Sequence, residues 1–148
     1  MSYLGNSICP DDFYPFGAFC YRFITDQMEW RQARDKCSSY NAYLAEPYTA
    51  TQNNYLKALG GLFGGGKRFW LGATDSKTTN VFIWSHSGQA VDRLGFSDWY
   101  RGEPSDSYGG TEDCLEIWDA GNGNYQWNDA PCDATQAFVC QCERLRKD

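Results

Sequence analysis

Seven of the 148 residues are cysteines: Cys9, Cys20, Cys37, Cys114, Cys132, Cys140 and Cys142. That density in a chain of this size points to an oxidising compartment, where paired thiols cross-link the chain and restrict its folds. Seven is odd, so at least one thiol stays free or pairs between chains. Counting alone does not assign the bridges. The length suits one domain, which would bury about two-thirds of the surface its unfolded chain exposes. Hydrophobic residues make up 42% and aromatics 17%, enough for a packed core and against disorder.

The net charge of −6 argues against a nucleic-acid partner, which calls for a basic face. No apolar run reaches the length of a membrane span, and Met1–Cys9 contains no signal-peptide core. The expectation is a soluble, secreted, extracellular protein written without its export signal. No Asn-x-Ser/Thr sequon occurs.

Two helices are legible. The first is expected to begin at Asp26, with Glu29 as its capping-box partner; Trp30, Ala33, Cys37 and Tyr40 then form one apolar stripe. The second begins at Thr49, with Gln52 in the same role. Tyr55, Leu56 and Leu59 are its apolar face, and Gly60-Gly61 is expected to stop it. Strands are expected at Ala18–Phe23, Arg68–Thr74, Cys114–Trp118 and Phe138–Gln141, with shorter ones at Phe82–Trp84 and Tyr125–Trp127. Between Ser85 and Gly110 the chain reads as a long loop, a kind of segment that is usually functional. A short polar tail runs from Glu143 to Asp148.

Acidic and amide residues recur in order in the last third of the chain: Glu103-Pro104-Ser105, Glu112-Asp113-Cys114, then Trp127-Asn128-Asp129 and Cys132. Calcium takes six to eight oxygen ligands at about 2.3–2.6 Å, chiefly carboxylates and carbonyls. Glu103, Glu112 and Asp129 offer three negative charges, Asn128 an amide oxygen and Ser105 a hydroxyl. Two other signals carry less. Gly61 to Lys67 has the spacing of a phosphate-binding loop, but Arg68 stands where Ser or Thr would hold magnesium, and the stretch follows a helix instead of a strand. His86 is the only histidine, which leaves little room for a catalytic triad.

These pieces together resemble a C-type lectin-like domain over nearly the whole chain. The matching residues are Cys9-Pro10, Phe19-Cys20-Tyr21, Trp30, Ala33, Cys37, Leu44-Ala45 and Trp70-Leu71-Gly72. They continue with Trp99, Glu103-Pro104-Ser105, Glu112-Asp113-Cys114, Trp127-Asn128-Asp129, Cys132 and Phe138-Val139-Cys140. The resemblance implies an α+β fold of two helices with small antiparallel sheets and a long calcium-binding loop. It spans residues 1–148 as one domain, with its core at 9–142. It also implies bridges Cys37–Cys140, Cys114–Cys132 and Cys9–Cys20, which leaves Cys142 for an interchain disulfide in a homodimer.

In that family a calcium ion joins protein to sugar. Carried over here, its ligands would be Glu103, Ser105, Glu112, Asn128 and Asp129, with Glu103-Pro104 in the cis form that X–Pro bonds allow. Sugar contacts would come from Glu103, Ser105, Glu112, Asn128 and Tyr108. Asp75, Asp106, Glu112 and Asp113 match an auxiliary calcium site, although Thr79 replaces an acid often found there. Ser105 departs from the family pattern, since mannose-type members carry Glu-Pro-Asn and galactose-type members Gln-Pro-Asp. Glu-Pro-Ser resembles some soluble invertebrate galactose-binding lectins, and Tyr108 offers a ring for the apolar face of galactose. The expected partner is therefore a galactose-containing glycan, with mannose the alternative. A lectin-like domain binding protein or mineral is a further alternative. A glycosidase using Glu103 and Glu112 is disfavoured, because two carboxylates on one cation leave no free acid.

Overall fold

The computed structural model describes residues 7–63, 68–75, 81–104, 113–121 and 123–146. Two helices, α1 (Trp30–Ser39) and α2 (Ala50–Phe63), flank ten strands: β1 (Ser7–Ile8), β2 (Tyr14–Phe16), β3 (Phe19–Met28), β4 (Tyr43–Leu44), β5 (Arg68–Thr74), β6 (Ile83–Trp84), β7 (Asp113–Asp119), β8 (Tyr125–Pro131), β9 (Gln136–Glu143) and β10 (Leu145–Arg146). Eight strands form one sheet in the order β2-β3-β9-β5-β7-β8, with β4 on β9 and β6 on β5. Its ladders are antiparallel except for the parallel contact of β5 with β9. β1 pairs with β10, which sets Ser7 opposite Arg146.

Side chains alternate across the sheet, as the strand pleat requires. Phe69, Leu71, Ala73, Leu115, Ile117 and Trp127 face one core, shared with Leu56 and Leu59 of α2. Trp70, Cys114, Ala130, Phe138 and Cys140 face the other, shared with Trp30, Ala33 and Cys37 of α1. All three expected disulfides are present: Cys9–Cys20, Cys37–Cys140 and Cys114–Cys132.

α1 begins later than expected. β3 stays extended through Asp26 because its ladder with β9 reaches Met28, opposite Gln136, across a bulge. The helix cap is therefore Glu29, whose N–H donates to Gln32 Oε1 at 3.1 Å. A further anchor is the Trp30 indole, which donates to the Leu71 carbonyl at 2.8 Å.

α2 starts as expected. The Gln52 N–H donates to Thr49 Oγ1 at 3.2 Å, while Gln52 Oε1 accepts the Tyr48 N–H at 2.8 Å. Its end is corrected, because the helix runs through Gly60-Gly61 to Phe63. A Cβ on Gly60 would lie 2.4 Å from Phe69 Cε1, so glycine here permits close packing instead of stopping the helix. The tail is corrected too, since Leu145–Arg146 forms a strand on β1. The short strands β2 and β4 were not foreseen.

Candidate functional site

β8 passes through Trp127-Asn128-Asp129 at the edge of the main sheet, so alternate residues face opposite sides. Trp127 points into the α2 core, wholly buried. Three rings meet it edge-on: Trp84 at 5.8 Å, Phe96 at 5.7 Å and Trp99 at 5.7 Å between centroids. Its indole N–H donates to Asn53 Oδ1 of α2 at 2.9 Å. The Asn53 amide nitrogen donates in turn to Asp98 at 2.8 Å, and Lys57 reaches the same Asp98 oxygen at 2.8 Å. A buried asparagine thus ties helix, strand and loop together.

The long loop is pinned to β8 at this tryptophan. The Trp127 N–H donates to the Asp98 carbonyl and the Tyr100 N–H to the Trp127 carbonyl, each at 2.9 Å. Three residues on, the Glu103 N–H donates to the Tyr100 carbonyl at 2.9 Å. The Glu103-Pro104 peptide is cis, as expected. These ties join the loop to Trp127, the residue that precedes Asn128 and Asp129, three positions before the loop reaches Glu103. Trp118 is half-buried, and its ring meets that of Tyr100 edge-on at 5.2 Å between centroids.

Asn128 and Asp129 have different settings. Asp129 is 2% exposed and pairs across the ladder with Leu115. Asn128 pairs with Glu116, and its Nδ2 donates to Glu116 Oε2 at 2.7 Å. Glu116 is fully buried; its other oxygen accepts Gln136 Nε2 at 2.7 Å and lies 3.6 Å from Arg68 Nη1. Burial raises its pKa, against the lowering effects of Asn128, Arg68 and Gln136. The sequence reading did not single out Glu116. The available signal was an acid flanked by Leu115 and Ile117 in the middle of β7, since a buried carboxylate must find partners.

The auxiliary acids Asp75 and Asp113 do meet. The Asp113 N–H donates to Asp75 Oδ1 at 2.9 Å, and the Asp75 N–H donates to the Asp113 carbonyl at 3.1 Å. Both residues are buried. Ser105, Asp106, Tyr108 and Glu112 lie outside the described residues. Among the described residues no three His, Cys, Asp or Glu side chains are grouped to hold a metal.

His86 sits in a turn. Its ring stacks on Tyr43 at 3.6 Å between centroids, and its N–H donates to buried Glu46 Oε2 at 2.6 Å. Glu46 also accepts from the Tyr48 hydroxyl. Burial raises the pKa of this carboxyl as well. Cys142 is the free cysteine among the described residues, half-buried and directly across the ladder from Cys20.

This arrangement of sheet and bridges is that of the C-type lectin fold. The family profile described as "Lectin C-type domain" matches residues 26–142, and the chain belongs to that family. A "C-type lectin mannose-binding isoform" of Oxyuranus scutellatus is 30% identical over 144 residues, covering 90% of this chain and 83% of the relative. A "C-type lectin galactose-binding isoform" of Pseudechis australis is 29% identical over 138 residues, covering 91% and 84%. The mouse scavenger receptor C-type lectin carbohydrate-recognition domain superposes with a TM-score of 0.78 at 27% identity, covering 95% of this chain and all of that one. Family membership makes the chain a binding domain and not an enzyme. No helix among the described residues is long and apolar enough to cross a membrane.

Proposed function

We propose that the chain is a calcium-dependent lectin that binds galactose-containing glycans. One observation carries the reading: the loop bearing Glu103 on its cis peptide is hydrogen-bonded to Trp127, immediately before Asn128 and Asp129. The side chains of Glu103, Asn128 and Asp129 offer carboxylate and amide oxygens, the chemistry a hard cation takes. Glu103, Asn128 and Asp129 would hold calcium together with Ser105 and Glu112, and the bound ion would supply direct coordination of two neighbouring sugar hydroxyls. Glu103 and Glu112 would then accept hydrogen bonds from those hydroxyls, and the amide nitrogen of Asn128 keeps a second hydrogen to donate after serving Glu116. Tyr108 supplies the ring for the apolar face of galactose.

Relatives named for mannose and for galactose both align with the chain. Glu103 is the acceptor of the mannose type, so mannose is the alternative that the site chemistry supports. Retention on immobilised galactose in calcium, loss in EDTA and elution by galactose but not mannose is the expected result. Elution by mannose alone reverses the specificity. Retention that ignores EDTA removes calcium from the account, and failure to hold any sugar favours the lectin-like binding of protein or mineral. Asp129→Ala should abolish calcium and sugar binding together while the chain stays folded.

The reading includes secretion and a homodimer bridged through Cys142, whose two shallow sites would gain avidity on a polyvalent surface. Support for the bridge is the unpaired state of this thiol, which opens on a cavity of about 630 Å³ beside Glu143. Burial and then Glu143 push its pKa up, which lowers its thiolate fraction; joining two copies is a two-electron oxidation that takes an external oxidant such as dioxygen or a small disulfide.

A further inference from the structure

Glu116 stands behind the candidate site without belonging to its expected ligands. An asparagine amide has two ends of nearly equal shape, and only the oxygen end can ligate a metal. Which end faces outward depends on what holds the other. Here the holder is a carboxylate, which in its ionised form accepts hydrogen bonds and cannot donate them. The end of Asn128 that meets Glu116 Oε2 at 2.7 Å is therefore the nitrogen. Glu116 is itself fixed on three sides: by the β7–β8 ladder, by Gln136 Nε2 at 2.7 Å and by Arg68 at 3.6 Å. Glu116 has no exposed surface of its own.

We infer that Glu116 is a positioning residue for the cation: by taking the Asn128 nitrogen it leaves Oδ1 as the end that can serve as a ligand. The inference rests on the calcium reading of the site. Its physical basis is that a ligand held in one orientation loses no affinity to the wrong one, and partners of this kind are typically worth about 10–100-fold in metal affinity.

The test is a double-mutant cycle on the whole chain, with calcium affinity measured by titration calorimetry and thermal unfolding in EDTA as the fold control. Glu116→Gln places an amide opposite an amide, so Asn128 can turn its oxygen inward. Affinity should fall about ten-fold or more. In an Asn128→Asp background both ends of residue 128 are oxygens, and orientation no longer matters. There Glu116→Gln should cost nothing, or should tighten binding by removing a facing carboxylate.

Equal losses in both backgrounds would mean that Glu116 merely supports the fold. Unchanged affinity in Glu116→Gln would remove its role while leaving the calcium site standing. A wild-type chain that binds no calcium would sink the site and this inference together, and is recognised before any variant is made. If Glu116→Gln alone fails to fold, the double variant still decides the matter, since it must bind at least as tightly as Asn128→Asp.

Discussion

The two faces of the main sheet are held by different means. On the α1 face, Cys20, Cys37, Cys114, Cys132 and Cys140 lie within the buried cluster and Cys9 packs at its margin. The α2 face contains no cysteine in its cluster. It is held by aromatic edges around Trp127 and by the bonds of Asn53 to that indole and to Asp98. Glu103 hangs from this second, uncross-linked face, through the backbone ties of Asp98 and Tyr100. The framework is thus secured by covalent bonds, and the loop by contacts that a single substitution can undo.

The largest test of this contrast is the double substitution Cys37→Ala, Cys140→Ala. The bridge spans 103 residues, and losing it should cost about 4–5 kcal/mol in urea unfolding on the chain-entropy account. A cost near zero would mean that the α1 face does not depend on its staple. Next is Asn53→Ala, which strands the Trp127 indole N–H and removes a partner of Asp98. A loss of about 2–3 kcal/mol is expected, with a changed near-ultraviolet tryptophan signal and weaker sugar binding. Unaltered sugar binding would detach the loop from α2.

A smaller effect is expected from pH. Burial raises the folded-state pKa of Glu46 above the ordinary 4.5. Its contribution to stability is therefore complete below 4.5 and is lost as pH rises through the raised value. The stability of wild type relative to Glu46→Gln should decline over that rise, as followed by urea unfolding at successive pH values. A flat difference would contradict the assignment. Smallest of all is Cys142→Ser, which should shift stability by less than about 0.5 kcal/mol while abolishing any dimer on a non-reducing gel.

What could be read from the sequence divides along the same contrast. The bridges followed from the family resemblance, and the aromatic strands and the Thr49 cap announced themselves locally. The α1 start did not. Asp26 and Glu29 have the spacing of a cap, but the register of β3 on β9, set by residues more than a hundred positions away, keeps Asp26 in a strand. Gly60-Gly61 reads as a stop on propensity alone, and only the ring of Phe69 shows why glycine is needed inside the helix. The order of Glu103, Asn128 and Asp129 was plain. The bond of Asn128 to Glu116 was not, because nothing in a linear chain says that those two positions face each other.

β1 and β10 also bear on how the molecule can be rebuilt. With Ser7–Ile8 hydrogen-bonded alongside Leu145–Arg146, a short linker from Arg146 to Ser7 could close the domain into a ring. New ends could then be cut in a surface loop, and the three cystines would still join the same partners. A domain rewired in this way could be grafted onto a scaffold through a surface of the engineer's choosing.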